Sequence, residues 1–338
     1  MGYSLAAFGE FLLRLHSNGN KRFGQTDGYA AWYAGAEANV CVLLARLGVT
    51  AEYVSRVPDN DLAAAGLAQL RSHGVATSEV LLGGSKLGLY FSEPGNQLRP
   101  TRVIYDRTGS AYAELQPGML NWPAILEKHQ YFHWSGVAAA LSASSAAVCA
   151  EAIEAARGKG LIISSDFNHR ATLWQYGQAP SQVMPPLLRH SDVAVADLDA
   201  VEVYYGITTD PALPLEERFR QTFTALRQHM PRLKTLGMSF RKTQGQTPVY
   251  SGALAHNGAF FFHEGFPIPS VTDAIGAGDA FTAGMLYGLM NGFGPQQVIN
   301  FATACGLLKQ SIHGDWAILS LRDVETLLQQ GVSGRIVR

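Results

Sequence analysis

Short apolar runs of strand length alternate along the chain with longer stretches in which apolar residues recur at helical spacing. The clearest helical pattern extends from Ala36 to Leu47 and is followed by Gly48, a residue type common at helix ends. A second such pattern extends from Asn60 to His73 and is closed by Gly74. The apolar runs that we predict as strands are Leu5 to Phe8, Glu52 to Arg56, Tyr131 to Ser135, Leu161 to Asp166, Val193 to Ala196 and Thr235 to Ser239. This alternation predicts an α/β fold built from β-α-β units around a mainly parallel sheet.

Two segments, residues 10–34 and 86–111, depart from this rhythm because aromatic and polar residues alternate in them. The run Arg102-Val103-Ile104-Tyr105 is an example. A period of two is typical of strands that are buried on one face and exposed on the other. We therefore predict a small β-sheet outside the main sheet, in the position of a lid. No repeat, low-complexity tract or linker divides the sequence, so we expect a single domain over residues 1–338.

The composition fits a folded protein that does not bind nucleic acid. Hydrophobic residues make up 47% of the 338 residues, and 26 Lys and Arg against 27 Asp and Glu leave a formal charge of -1, too small to attract a polyanion. Cys41, Cys149 and Cys305 lie far apart without metal-site spacing, which predicts buried, reduced thiols. The N-terminus lacks signal-peptide features, and no run of about 18 apolar residues occurs. We therefore expect a cytoplasmic protein with no membrane partner.

The 35 glycines include a pair, Gly276 and Gly278, at the start of a predicted helix whose apolar residues recur at four-residue spacing from Phe281 to Leu289. Backbone N–H groups at a helix start lack intrahelical acceptors and lie at the positive end of the helix dipole. Small residues at this point therefore predict a site for an anion such as phosphate. Asp279, in the first turn, has two possible roles. It is either a helix-capping carboxylate or the base that a kinase places beside a phosphate to accept a hydroxyl proton.

The segment Asp273-x-x-Gly276-Ala277-Gly278-Asp279-Ala280-Phe281-x-Ala283-Gly284 closely resembles the D-x-x-G-A-G-D signature of the ribokinase-like (phosphofructokinase-B type) carbohydrate kinases. Gly35-Ala36-Glu37-Ala38-Asn39 resembles the family's sugar-binding turn, and the resemblance extends over nearly the whole chain. It implies a three-layer α/β/α sandwich with a mainly parallel central sheet and a β lid. It also implies ATP and Mg²⁺ as cofactors and Asp279 as the catalytic base. The amides of Gly276, Ala277 and Gly278 would hold the transferred phosphoryl group, with Gly276 and Gly278 also contacting the nucleotide.

Within the family, several short motifs most resemble those of kinases that act on 2-keto-3-deoxygluconate. They are Gly35-Ala36-Glu37-Ala38-Asn39, Gly88-Leu89-Tyr90, Tyr105-Asp106-Arg107-Thr108-Gly109-Ser110-Ala111, Asp166-Phe167-Asn168-His169-Arg170 and Lys309-Gln310-Ser311-Ile312-His313-Gly314-Asp315. The resemblance implies ATP-dependent phosphorylation of this sugar acid at its terminal hydroxyl, which gives the 6-phosphate. The substrate-binding residues that it implies are Gly35, Ala36, Glu37, Asn39, Tyr90, Tyr105, Arg107 and Asp315.

The polar and aromatic members of this set also have structural alternatives. The guanidinium of Arg107 is suited to bind the carboxylate of a sugar acid through two hydrogen bonds, but an arginine in a polar strand is commonly a solvated surface charge. The alternatives for the others are lid packing for Tyr90 and Tyr105, helix capping for Glu37 and Asn39, and a plain turn for Asp315.

The nucleotide-binding part departs from the family pattern. Asn168 and Arg170 follow a predicted strand at the edge where ligands collect in α/β sheets, and the resemblance implies that they face the nucleotide phosphates and the transferred group. The family's usual nucleotide strand is altered, and Ser239 and Arg241 are the candidate contacts there. The family's N-x-x-E motif reads Asp197-Leu198-Asp199-Ala200. Its missing glutamate leaves three candidates for organising Mg²⁺ through water, which are Asp197, Asp199 and Glu202.

Two other functions stay open from the sequence. Another carbohydrate kinase of the family would act on fructose, ribose or a nucleoside, none of which needs the guanidinium of Arg107. A catalytically idle sugar-binding regulatory protein on the same fold is compatible with Ala200 and with the altered nucleotide strand. A dinucleotide oxidoreductase is not expected, because no G-x-G-x-x-G opens the first β-α turn. Exposed strand edges of the lid would suit a homodimer.

Overall fold

In a computed structural model that describes residues 4–95, 99–245 and 247–332, the chain forms a nine-stranded sheet and a separate four-stranded sheet. The strands are β1 Ser4–Phe8, β2 Leu12–Ser17, β3 Tyr29–Ala34, β4 Thr50–Val57, β5 Val80–Leu82, β6 Gly88–Glu93, β7 Arg102–Asp106, β8 Tyr131–Ser135, β9 Ile162–Asp166, β10 Val193–Val195, β11 Thr235–Gln244, β12 Thr247–His256 and β13 Ala259–Pro267. The helices are α1 Ala36–Arg46, α2 Asp61–Ser72, α3 Trp122–Ile125, α4 Gly136–Ala139, α5 Ala143–Gly158, α6 Pro180–Leu188, α7 Leu198–Tyr205, α8 Leu215–His229, α9 Ala277–Met290, α10 Pro295–Lys309 and α11 Leu321–Gln330.

The larger sheet, called the main sheet below, has the order β13-β12-β11-β10-β9-β8-β1-β4-β5. Its neighbours from β11 to β5 pair in parallel. Parallel strands joined by helices are buried on both faces, and accordingly every residue of β1 and β8 is buried. The six predicted strands all occur, with ends that shift by a few residues, and the two predicted helices correspond to α1 and α2.

Helices cover both faces of the main sheet, which confirms the predicted three-layer α/β/α arrangement. Side chains of β1 alternate between two cores, since Leu5 and Ala7 pack with residues of α1, α2, α9, α10 and α11. Ala6 and Phe8 point to the opposite face and pack with residues of α5 to α8. The period of two along a strand therefore divides one apolar run between two helical layers.

The antiparallel end of the main sheet was not predicted. Strands β11, β12 and β13 form two hairpins, and β11 continues to Gln244 beyond the predicted end at Ser239. Asn257 and Gly258 connect β12 to β13, both with positive φ. This Asn-Gly pair is the strongest short-range signal for a tight hairpin, so the element was readable in the sequence.

The four-stranded sheet, called the lid sheet below, has the order β3-β2-β6-β7. All of its strands lie within the two segments predicted as a lid, 10–34 and 86–111, although residues 96–98 of the second segment lie outside the described residues. Its outer strand β7 is largely exposed, whereas β2 alternates between buried and half-buried positions. The lid sheet forms one wall of the cleft described below.

Cys41, Cys149 and Cys305 are buried and unpaired, as predicted. Over residues 4–95, 99–245 and 247–332, no helix has the length and apolar character needed to cross a membrane.

Candidate active site

A cleft of about 410 Å³ lies between the lid sheet and the carboxyl ends of the main-sheet strands. The wall from the lid contains Leu12, Tyr90, Val103, Tyr105 and Arg107. The opposite wall combines the start of α1, the start of α9 and the ends of β9 and β10. Most residues predicted from the sequence as site residues meet in this cleft. They are Gly35, Ala36, Asn39, Tyr90, Tyr105, Arg107, Asn168, Arg170, Asp197, Ser239, Gly276, Gly278, Asp279 and Asp315.

The glycine turn, residues 276–278, opens α9 at the bottom of the cleft. Gly276 is the residue before the helix and has φ +87°, a conformation that side chains disfavour. A Cβ built on Gly276 would lie 2.1 Å from the carbonyl oxygen of Asp315, so no larger residue fits. Nothing lies within 4 Å of a Cβ built on Gly278, which also lines the cleft. The helix start is therefore open to a ligand, as an anion site requires.

Asp279 does not act as the helix cap, because Gly276 holds the cap position without a side-chain hydrogen bond. Its Oδ2 instead accepts a hydrogen bond of 2.6 Å from Asn39 Nδ2. Burial raises the pKa of Asp279 to about 6, although the Asn39 hydrogen bond and the charge of Arg170 lower it. A carboxylate with this pKa is mostly ionised at neutral pH and is a stronger base than an exposed aspartate, which suits proton abstraction.

The turn at the start of α1 contributes backbone atoms and the side chain of Asn39 to the cleft, but not the side chain of Glu37. Gly35 has φ +151°, and a Cβ on it would lie 2.4 Å from the carbonyl oxygen of Glu10. No side chain caps α1, so neither Glu37 nor Asn39 takes the capping role that was left open. The Glu37 carboxylate is buried against Gly9 and does not line the cleft. Burial raises its pKa to about 7.

Arg107 is buried and faces the cleft from the lid. Its Nε donates a 2.5 Å hydrogen bond to Glu10 Oε2, and its guanidinium carbon lies 5.7 Å from the centre of the Tyr105 ring. Arg107 Nη2 is also buried, yet it has no hydrogen-bond partner among the described residues. Buried donors are almost always paired, so an unpaired guanidinium nitrogen on a residue that lines a cleft suits an anionic ligand group. The surface-charge alternative does not apply to Arg107.

Asp315 belongs to a buried network that sequence reasoning missed. Arg14 Nη1, from lid strand β2, donates to Asp315 Oδ1 at 2.9 Å and to Asp273 Oδ2 at 2.7 Å. The Tyr90 hydroxyl donates to Asp315 Oδ2, while Arg14 Nε donates to Ser92 Oγ at 2.8 Å. Asp315 is thus more than a turn residue, since it joins the loop after α10 to the lid sheet through Arg14 and Tyr90. The sequence did contain a signal for Arg14, because it is a charged residue between the leucines of β2.

Polar groups from the ends of β9 and β10 complete the cleft. Asp166 accepts hydrogen bonds from the Asn168 amide and from Thr282 Oγ1, both at 3.1 Å. Burial raises the pKa of Asp166 to about 7, and the charge of Asp279 adds to this effect. Asn168 Oδ1 is buried without a hydrogen-bond partner among the described residues. Arg170 is exposed at the same rim and donates to the carbonyl of His169.

Only one of the three predicted metal residues reaches the cleft. Asp197 lines it and accepts a hydrogen bond from the Ala200 amide at 2.7 Å as the cap of α7. Asp199 and Glu202 are exposed and do not line the cleft. Within the described ranges, no group of three or more His, Cys, Asp and Glu side chains is arranged to hold a metal ion.

A second pocket of about 330 Å³ adjoins the first across the glycine turn. Ser239, Ala274 and Gly278 line both pockets. The second pocket is completed by Phe240, Arg241, Tyr250 and Ala277. Arg241 Nη2 donates to Gln310 Oε1 at 2.5 Å. Two pockets that meet at a helix N-terminus can hold a phosphate donor and an acceptor with the transferred group between them.

The fold and this pair of pockets define a phosphotransferase of the ribokinase-like α/β class. Residues 5–317 match the pfkB family carbohydrate kinase domain. The chain therefore belongs to the pfkB family of carbohydrate kinases, enzymes that use ATP to phosphorylate a sugar hydroxyl.

Individual relatives cover nearly the full length. The chain is 30% identical to a 2-dehydro-3-deoxygalactonokinase of Haloferax volcanii, with 99% of both proteins covered. It is 28% identical to a 2-dehydro-3-deoxygluconokinase of Thermoproteus tenax, over 96% of this chain and 94% of the relative. Among solved structures, the 2-dehydro-3-deoxygluconokinase of Thermotoga maritima superposes with a TM-score of 0.91 at 33% identity, covering 97% of this chain and 99% of that chain.

Proposed function

We propose that the protein phosphorylates 2-keto-3-deoxygluconate, also called 2-dehydro-3-deoxygluconate, at its terminal hydroxyl with ATP as donor. The observation that carries this proposal is the buried, unpaired Nη2 of Arg107, a residue that lines the same cleft as Asp279. An acid substrate brings the carboxylate that this nitrogen lacks, whereas fructose, ribose or a nucleoside does not. The names of the three relatives described above agree with a 2-keto-3-deoxy sugar acid.

The cleft residues have complementary roles in this reaction. Asp279 takes the proton of the terminal hydroxyl while its oxygen forms a bond to the γ-phosphorus and the bond from that phosphorus to ADP breaks. Asn39 orients the Asp279 carboxylate through its 2.6 Å hydrogen bond. The amides of the glycine turn stabilise the charge on the transferred group. Tyr90 and Tyr105 of the lid, together with Asp315, line the cleft in which the acceptor would bind.

The donor side uses the second pocket and the strand ends. Ser239, Arg241 and Ala277 line the proposed nucleotide pocket, while Asn168 and Arg170 line the adjoining cleft. Mg²⁺ neutralises phosphate charge when bound and needs only one or two carboxylates besides water. Asp166 and Asp197 line the cleft and offer carboxylate oxygens of this kind, and Asn168 Oδ1 is an unpartnered oxygen nearby in the chain. These residues fit a water-mediated Mg²⁺ site without Asp199 or Glu202.

Arg107 determines the preference for an acid in this proposal. Replacing both Arg107 with Met and Glu10 with Gln removes the guanidinium without leaving a buried charge unpaired. We expect KM for 2-keto-3-deoxygluconate to rise by about 10- to 100-fold, because hydrogen bonds to charged groups contribute about 1.5–3 kcal/mol. Steady-state kinetics on the acid and on a neutral sugar measure the effect. The matched control is Arg102→Ala, since Arg102 is an exposed arginine at the start of β7, the strand that immediately precedes Arg107. Equal losses on acid and neutral sugar would contradict the role.

The raised pKa of Asp279 predicts the acid limb of the pH profile. The base works only when deprotonated, so kcat/KM should rise with pH and level off above the Asp279 pKa of about 6. Below that pH, kcat/KM falls by about tenfold per pH unit. Without burial of the carboxyl, the limb would lie near the ordinary aspartate pKa of about 4. Measuring kcat/KM at pH values that span both pKa values shows which of the two pKa values the acid limb follows.

Substrate choice needs a direct comparison. An ADP-release assay should be run with 2-keto-3-deoxygluconate, its galacto epimer, fructose, ribose and adenosine. We expect the highest kcat/KM with one of the two acids, and we include both because the relatives are named for both epimers. Ligand binding without ADP release from any acceptor would favour the idle regulatory protein, and preference for a neutral sugar would favour another carbohydrate kinase.

The cellular setting and assembly belong to the same proposal. We infer one domain that acts in the cytoplasm, with the lid sheet closing over the substrate to exclude water. The outward face of the lid sheet is apolar in part, with Tyr29 41% and Ile104 55% exposed. A second copy covering this face would form a homodimer, which sedimentation of the wild-type protein and of an Ile104→Glu variant would test.

A further inference from the structure

Lys309 is a buried cation next to the catalytic turn that the reaction outlined above does not use. It is the last residue of α10 and is 0% exposed. Its ammonium donates to two main-chain carbonyl oxygens, those of Asp273 and Ile312, each at 3.1 Å. Burying an ammonium against neutral acceptors is costly, so a lysine in this position calls for an explanation.

The two carbonyls belong to different loops, and both loops build the active site. Asp273 lies in the loop that leads into the glycine turn, and Ile312 lies in the loop that leads to Asp315. The loops also touch directly, since the amides of Thr272 and Asp273 both donate to the Gln310 carbonyl. The ammonium therefore crosslinks the segment that holds the phosphoryl group to the segment that borders the sugar.

The side chain of Lys309 also packs directly beneath the glycine turn. Its Cε lies 3.2 Å from the position of a Cβ built on Gly276. The negative charges of Asp273, Asp315 and Asp279 favour the charged form, whereas burial is the largest influence and lowers the lysine pKa. A fixed positive charge at this depth can counter these carboxylates where the γ-phosphate must approach.

We propose that Lys309 is a positioning residue for phosphoryl transfer, whose ammonium acts as a built-in monovalent cation that fixes the glycine turn relative to Asp315. Two properties follow from this arrangement. The wild-type enzyme needs no added monovalent cation for this purpose, and a variant with an empty space in place of the ammonium accepts a small cation from solution. The proposal rests on the phosphoryl transfer described under Proposed function.

The test compares Lys309→Ala, which leaves a space, with Lys309→Met, which fills it without a charge. We expect kcat to fall by about 10²-fold in both, because a misplacement of about 1 Å at the reacting group costs this much. KM for the sugar acid should change less than kcat. Ammonium or potassium chloride should raise kcat of Lys309→Ala, and should leave the wild-type protein and Lys309→Met unchanged. Tetramethylammonium chloride controls for ionic strength.

A second readout does not depend on turnover. In the ligand-free protein, the Thr272 and Asp273 amides should exchange hydrogen faster in Lys309→Ala than in the wild type, and ammonium should restore their protection. Lys159→Ala is the matched control, since Lys159 also lies at the C-terminal end of a helix but is exposed. We expect it to leave kcat and exchange unchanged.

The outcomes separate the two proposals. Every variant is assayed with the acceptor that the wild-type protein phosphorylates. If that acceptor is not 2-keto-3-deoxygluconate, the wild-type assays show it, and the test of Lys309 is unaffected. Unchanged kcat in folded Lys309→Met, or loss of kcat in Lys309→Ala that no small cation relieves, would overturn the role of Lys309. If both variants are unfolded by circular dichroism even with ammonium present, Lys309 is a structural residue and the proposal fails.

Discussion

Replacement of Asp279 by Asn is expected to lower kcat by about 10² to 10⁴-fold, the range for loss of a positioned base. The amide cannot take the proton of the acceptor hydroxyl, but it has the same shape and its oxygen can still accept the hydrogen bond from Asn39. KM should therefore change little, because the interaction lost is one made in the transition state. Steady-state ADP release at saturating sugar acid and ATP measures the change.

The matched control for this variant is Asp199→Asn. Asp199 also lies in the first turn of a helix, but it is exposed and outside the cleft. We expect it to retain wild-type kcat, and this result would also support a Mg²⁺ site that does not use Asp199. An Asp279→Asn enzyme with wild-type turnover would remove the central assignment. A loss of kcat in the Asp199→Asn enzyme would contradict a Mg²⁺ site without Asp199.

Replacement of Gly276 by Ala should disable the enzyme for a steric reason. At φ +87° a side chain costs about 1–2 kcal/mol in backbone strain, and the new Cβ would lie 2.1 Å from the Asp315 carbonyl oxygen. The turn or the Asp315 loop must then move. We expect kcat to fall by about 10²-fold or more, together with a lower free energy of unfolding. Turnover and denaturant unfolding of the same preparation report both effects.

Gly292→Ala separates the two causes. Gly292 follows the other end of α9 and also has a positive φ of +68°, but a Cβ there would meet nothing within 4 Å. We expect Gly292→Ala to lose stability through strain alone and to keep its kcat. If Gly276→Ala were as active as Gly292→Ala, the close approach of Asp315 to the turn would be unimportant for phosphoryl transfer.

Local patterns predicted much of the fold. The strands near the centre of the main sheet are short apolar runs buried on both faces, and α1 and α2 have helical spacing with glycines after them. The lid segments were recognised because their aromatic and polar residues alternate with a period of two. This differs both from a continuous apolar run and from helical spacing. The hairpin of β12 and β13 was missed although Asn257-Gly258 marks its turn, since the prediction of β11 ended at Ser239 where the residues become polar.

The site was only partly predictable, and the missed residues have a common feature. Glu10 and Arg14 are charged residues whose hydrogen-bond partners lie far away in the chain. Arg14 binds Asp273 and Asp315, which lie 259 and 301 positions further on. No local motif can show such a pairing, because a buried charge is tolerated only where the fold supplies its counterpart. Glu37 was predicted as a site residue because it belongs to the sugar-turn motif, but it does not line the cleft.

By itself, the sequence predicted the α/β class and the glycine turn, and its short motifs carried the resemblance to the kinase family that makes Asp279 the candidate base. Each of these depends on residues that are close together in the chain. The tertiary structure decided which groups surround them. It placed Asn39 against Asp279 across 240 positions, left Nη2 of the cleft-lining Arg107 unpaired, and kept Asp199 and Glu202 out of the cleft. The physical reason is that hydrogen bonds and charges act over a few ångströms in space, and only folding brings residues from different strands and helices within that distance.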